Sequence, residues 1–136
     1  MKILVEVITP ERLALSEEVE FLAAPAYEGE VGILPGHAPM LRQLQPGALR
    51  LLSGESARLF AISGGFMEVH PHKVEVFAET AEQAEEIDLE RARQEAEKAK
   101  AALLKPTAEV DLLKVQAALR TAMARMKLAE GIRRKK

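Results

Sequence analysis

Residues 87–131 read IDLERARQEAEKAKAALLKPTAEVDLLKVQAALRTAMARMKLAEG. Leu89, Ala92, Ala96, Ala99 and Leu103 recur at alternating steps of three and four, until Lys105, Pro106 and Thr107 interrupt the pattern. Leu112, Val115, Leu119, Ala122, Met126 and Ala129 then repeat it. This spacing draws one narrow apolar stripe down each of two helices, as in a coiled coil. Two stripes and one short break predict an antiparallel helical hairpin. Burying a leucine contributes about 1.5–3 kcal/mol and an alanine methyl about 0.8 kcal/mol. The alanine-rich seam of the first helix is therefore expected to close weakly, and a weakly closed hairpin can open if the rest of the chain supplies a firm base. Asp88 is placed to cap the first helix, with Glu90 in its first turn. Pro106 ends that helix, Thr107 is expected to cap the second with Glu109 and Asp111 in its opening turn, and Gly131 is a natural stop. Arg91 with Glu95, and Arg93 with Glu97, stand four apart on the outer face, each pair contributing about 0.3 kcal/mol.

The residues before the hairpin have a different rhythm. Short β-branched and aliphatic runs cover 2–8, 13–15, 19–24, 40–44, 48–52, 58–63, 66–69 and 74–78, the third stopping at Pro25. Turn residues separate them: Gln45-Pro46-Gly47, Ser53-Gly54, Gly64-Gly65 and His70-Pro71-His72. Strands this short and this regularly punctuated predict a sandwich or flattened barrel. The fold class is thus α+β, with a β sandwich over 1–84 and a helical hairpin over 85–136.

The chain has 136 residues and a formal charge of −2, which argues against a dedicated nucleic-acid binder. Interleaved aromatics are also missing, since Tyr27 is the one tyrosine and all four phenylalanines precede the hairpin. The average hides a gradient. Residues 79–97 hold eight acidic side chains against Arg91 and Arg93, whereas 112–136 hold eight basic ones against Glu130. The second helix is either built to meet an acidic partner or simply solvated on its basic face. With no cysteine, a disulfide framework and thiol chemistry are excluded, which suits a reducing compartment. The opening run from Ile3 to Ile8 is too short and polar for a signal peptide, and no uncharged run approaches the ~18 residues that span a bilayer. Any membrane association would be through partners.

Three patterns imitate catalytic or metal sites. Ala61-Ile62-Ser63-Gly64-Gly65 resembles a nucleophile elbow, but it lies between strands where the elbow needs a helix to follow. His70 and His72 flank Pro71 without a third ligand, so a turn is expected there and no metal. Nothing matches a phosphate-binding P-loop, so no ATP hydrolysis by this chain alone is expected.

The segment from Glu28 to Pro39 reads EGEVGILPGHAP. Three glycines and two prolines in twelve residues prescribe a fixed backbone path. With Ser63-Gly64-Gly65-Phe66-Met67-Glu68-Val69, Ala78-Glu79-Thr80-Ala81 and the helical tail, it resembles the epsilon subunit family of bacterial F-type ATP synthases over essentially the whole chain. The resemblance implies a ten-stranded sandwich followed by the hairpin. It implies a non-catalytic regulatory subunit of a proton-translocating rotary synthase, peripheral on the cytoplasmic face of the bacterial cell membrane. The implied partners are the gamma subunit and the ring of c subunits, with Glu30 facing the ring and His37 near gamma. The alpha and beta subunits are added when the hairpin extends, where Arg120, Arg125, Lys127 and the basic residues 133–136 would meet acidic segments of beta and block hydrolysis.

Ile87-Asp88-Leu89-Glu90-Arg91-Ala92 also matches a motif by which some members of that family bind ATP as a regulatory ligand; no cofactor is otherwise required. The implied site comprises Glu82, Asp88, Arg91, Ala92 and Arg125. Those members carry two arginines four apart on the second helix, and here one of the two positions is Thr121, with Arg120 rotated about a hundred degrees away. Two readings of the motif stand: a nucleotide site, or a cap at Asp88 beside a surface ion pair at Arg91. Correspondingly, the hairpin is either a switch or a fixed part of a subunit that only couples gamma to the ring.

Overall fold

The computed structural model describes residues 1–107 and 111–135, with side chains through 131. The opening-turn position expected for Glu109 and the side chains of Arg133 to Lys136 lie outside the described residues. Within them, ten strands come first: β1 (Ile3–Ile8), β2 (Leu13–Val19), β3 (Phe21–Ala26), β4 (Gly29–Ile33), β5 (Met40–Leu44), β6 (Gly47–Ser53), β7 (Ser56–Ile62), β8 (Gly65–Val69), β9 (Lys73–Ala78) and β10 (Ala81–Gln83). A single 3-10 turn, Ala84–Glu86, leads to α1 (Leu89–Leu104) and α2 (Leu112–Lys135).

The strands pair in the order β10, β7, β6, β3, β5, β8, β9, β1, β2, with β4 beside β3. All neighbours are antiparallel except β1 and β9. The sheet turns its corner at β3, whose first half, Phe21 to Ala23, pairs with β6 while Ala26 faces Leu44 of β5. Pro25 sits at that corner and does not end the strand as its sequence position suggested. Its missing donor is harmless where the pairing changes hands, and its carbonyl accepts from Gln45 N at 2.8 Å. Strict alternation then fills the interior. Ile3, Val5 and Val7 of β1 and Val74 and Val76 of β9 point in, meeting Leu49, Leu51, Phe60, Ile62 and Met67. Gly65 shows how tight the packing is. Its φ is 139°, and a Cβ there would stand 1.8 Å from the Phe77 carbonyl oxygen, a position open to glycine alone.

Two strands were not read from their residues. β4 lies inside the glycine-rich segment, and β10 is only three residues long. The glycines of β4 hide its alternation; at Gly32 a Cβ would stand 3.0 Å from the Phe21 ring, which would have to shift slightly to admit it.

The hairpin forms as the stripes predict. Leu89, Ala92, Ala96 and Ala99 are buried against α2, where Ala122 and Ala129 are buried too. Val115, Leu119 and Met126 are half-covered and Leu112 is exposed, so the seam loosens towards the tip. Asp88 caps α1 through a 3.1 Å bond from Arg91 N. The second cap is Asp111 in place of Thr107: its Oδ1 accepts from Leu113 N at 3.1 Å and Lys114 N at 3.3 Å. Thr107 lies five residues before the first helical residue, too far along the chain to serve those amides. Nor does Gly131 stop α2, which continues to Lys135; glycine costs a helix about 1 kcal/mol without obliging it to end.

The hairpin lies down on the sandwich. Ile87, Leu89 and Ala129 form a small apolar cluster with Ala61 of β7, flanked by Met126 and Leu128. The joint is imperfectly filled, with a cavity of about 340 Å³ between Gly47, Ala48 and Leu59 on the sheet and Ala124, Lys127 and Leu128 on α2.

Candidate functional site

Beside that joint, β10, α1 and α2 meet around one guanidinium. Arg125 of α2 donates to both carboxylate oxygens of Glu82 on β10, through Nε at 2.6 Å and Nη2 at 3.2 Å, and through Nη1 to Glu95 of α1 at 2.8 Å. Its side chain is only 12% exposed. Glu95 in turn accepts from Arg91 Nε at 3.2 Å, and the Arg91 side chain is 72% exposed. The planar fork of arginine suits this bidentate geometry, and such charge-assisted bonds are about twice as strong as neutral ones. One residue therefore ties the second helix both to the first helix and to the sandwich.

The network opens into a cleft of about 370 Å³ lined by Thr80, Glu82, Arg91, Glu95, Thr121 and Arg125. Three of the five residues proposed for ATP, Glu82, Arg91 and Arg125, are brought together here. Asp88 instead turns an oxygen to its own helix as a cap, and Ala92 is wholly buried in the seam. Sequence spacing marks Glu95 only as the ion-pair partner of Arg91. The pair is not on the outer face that its spacing suggested: Glu95 reaches Arg125 of α2, and Arg91 stands at the rim of the cleft they share. Two positive and two negative side chains line the cleft, so an entering phosphate would meet Arg91 directly and would reach Arg125 only by displacing a carboxylate.

Among the basic residues of α2, Arg120 and Lys127 are exposed, while Arg125 is withdrawn between Glu82 and Glu95. Arg93 does not pair with Glu97 as expected; it turns to Glu90 at 3.7 Å and across the seam to Glu130 at 3.6 Å. The bond to α2 is available only because the hairpin is closed.

The glycine-rich segment lies elsewhere on the sandwich, braced by Glu28 with Arg42 and by Glu30 with Arg50 at 2.6 Å. Glu30 remains half-exposed. His37 follows in a tight turn closed by His37 N to Leu34 O at 3.2 Å, and Gly36 N donates to Pro71 O at 2.8 Å, linking the turn to the β8–β9 hairpin. His37 Nδ1 lies 2.7 Å from the Ala38 carbonyl, a contact that requires the proton on Nδ1. Ser63 has a structural place: its Oγ accepts from Thr80 N at 3.0 Å while its own N donates to Thr80 O at 3.2 Å. No helix among the described residues is long and apolar enough to cross a membrane.

The molecule is thus a β sandwich carrying a two-helix arm that ion pairs hold against it. Two family models match this chain: the ATP synthase Delta/Epsilon chain β-sandwich domain over residues 2–84 and the long α-helix domain of the same chain over 85–130. The ATP synthase epsilon chain of Herpetosiphon aurantiacus is 46% identical over 130 residues, 96% of either chain. That of Desulforamulus reducens is 42% identical over 125 residues, 92% of this chain and 95% of its own. Among solved structures, a chain of the Euglena gracilis mitochondrial ATP synthase superposes with a TM-score of 0.79 at 29% identity, covering 90% of this chain and 78% of that one. The chain belongs to the ATP synthase epsilon family, the stalk subunits of the F-type synthase.

Proposed function

We propose that this chain couples the gamma subunit to the c ring through its sandwich, and that its hairpin is a brake on ATP hydrolysis released by ATP. The observation that carries the second half is the latch at Arg125. Three charge-assisted bonds and an alanine seam hold α2 down, and each bond can be exchanged for another anion without disturbing the core. With the latch closed the rotor turns. With it open, α2 extends along gamma and presents Arg120, Arg125 and Lys127 to acidic segments of the beta subunits. A ligand that favours the closed hairpin shifts that balance only by its differential affinity for the two states. ATP in the cleft would do so by bonding Arg91 and replacing one carboxylate on Arg125. Contact with the ring falls to the segment of Glu30, and with gamma to that of His37. The complex would be held to the cytoplasmic face of the bacterial membrane by those partners.

A coupling subunit with a permanently closed hairpin is the second reading. It is favoured by the fact that Arg125 is already satisfied by carboxylates of its own chain. The test is ATP hydrolysis by a catalytic head and gamma assembled with the full chain, with a chain ending at Gln83, or with Glu82→Gln. A brake predicts faster hydrolysis after truncation. It predicts slower hydrolysis with Glu82→Gln at low ATP, because that variant loosens the latch yet keeps Arg125. Addition of ATP should relieve inhibition less in Arg91→Ala. Equal rates for all chains at low and high ATP would leave coupling alone.

A further inference from the structure

Away from the strands that the hairpin lies on, β8, β9 and β1 carry three glutamates in a row. Glu68 of β8 stands directly across from Glu75 of β9, and Glu75 directly across from Glu6 of β1. Like charges facing one another across strands are destabilising, so this row calls for cations. Lys73 supplies one: its ammonium lies 2.6 Å from Glu6 and 3.9 Å from Glu75, and is thus drawn to the far end of the row. At the near end stands His70, two residues after Glu68 and on the same face, with Nε2 3.0 Å from Glu68 Oε1.

We propose that Glu68, His70 and Glu75 form a binding site for a divalent transition ion of the zinc type. One donor atom from each of the three lies within 4.8 Å of the others. A tetrahedral ion with bonds near 2.1 Å needs donors about 3.4 Å apart, so modest side-chain rotation closes the triangle. Glu68 of β8, His70 one residue past the end of that strand, and Glu75 of β9 opposite Glu68 give three ligands in one cluster, leaving the fourth position to water. One imidazole and two carboxylates suit zinc better than magnesium or calcium, which take oxygen ligands. The second and third ligands come from Glu68 and from the adjacent strand, and the pair His70 and His72 is not the chelating unit. Lys73 is the built-in competitor for the same carboxylates.

Titration of the full-length chain with Zn²⁺ alone, followed by calorimetry and by the imidazole NMR signals of His70, tests the site. One ion per chain is expected, bound at least about tenfold more weakly by His70→Ala and by Glu75→Gln, and unchanged in His72→Ala. Lys73→Met should bind more tightly, a gain that misfolding cannot produce. Absence of saturable binding in the native chain, binding that His70→Ala leaves intact, or binding lost in His72→Ala would overturn the assignment.

Discussion

The sandwich and the hairpin are stabilised by different means. In the sandwich, Phe60, Leu49, Ile62, Met67 and their neighbours are almost wholly withdrawn from water, and large side chains interlock from both halves of one folded sheet. In the hairpin, the buried positions are mostly alanines, and the connection to the sandwich rests on a small apolar cluster, an incompletely filled joint and the bonds of Arg125. Apolar burial is hard to exchange, because water is no substitute for a packed neighbour. Ion pairs are exchangeable, because another anion serves as well. The sandwich thus rests on packing that water cannot replace, and the arm on bonds that another anion could replace, which is the contrast the proposed brake would use.

The largest test of that contrast lies in the sandwich core. Phe60→Ala should cost about 3–5 kcal/mol, read as a fall in the urea midpoint of the whole chain. A loss below about 1 kcal/mol would mean that the sandwich is no firmer than its arm. Next, Ala96→Leu places a large side chain in a seam fitted to methyl groups. Overpacking of this kind costs about 1–3 kcal/mol, and here it should appear as faster amide exchange in α1 and α2 with β1 and β9 unchanged. Glu82→Gln removes the charge but keeps the shape of the Arg125 partner. Allowing for solvent screening of a partly exposed pair, a loss of about 1 kcal/mol is expected, again confined to exchange in α2, and added salt should narrow the difference from the native chain.

The smallest effect concerns the sheet surface. The Glu6 carboxylate that accepts from the Lys73 ammonium, helped by the charge of Glu75, holds the Lys73 pKa above the ordinary 10.5. A raised folded-state value favours the folded chain while the amine is protonated. The contribution is complete below pH 10.5 and disappears as pH climbs through the higher folded value. The stability difference between the native chain and Lys73→Met, followed by urea titration from neutral to strongly alkaline pH, should therefore shrink at the alkaline end. A difference that grows there would reverse the sign of the argument.

Much of this was legible in residue spacing. The steps of three and four identified both helices and the buried alanines, because a helix stripe depends only on its own sequence. Most strands were legible for the same reason, through short apolar runs between turn residues. β4 was not, because glycines replace the side chains that would show its alternation, and β10 is too short to have a period. Thr107 and Asp111 are both residue types that cap helices, Asp the better, and the actual start of α2 at Leu112 decides between them. The ion pairs divide along the same line. Arg91 with Glu95 is local and was foreseen, whereas the turning of Arg93 to Glu130 depends on helices meeting across the seam. Family motifs named Glu82, Arg91 and Arg125 together, although 43 positions separate Glu82 from Arg125. The role of Glu95 as a shared partner required the closed arrangement itself.

The parallel pairing of β1 with β9 has a consequence for how the molecule comes into being. Leu4 to Ile8 must find Lys73 to Phe77, so β1, once made, waits for nearly the whole sandwich before its second edge is covered. At about 5–20 residues per second that wait lasts several seconds, with an apolar strand in the meantime open to wrong partners. The two helices that follow pair with each other, and helices themselves form within about 1 μs, but α2 must still reach back to Ala61 and Glu82 before the arm is docked. Synthesis thus delivers the slowly completed sheet before the quickly formed helices.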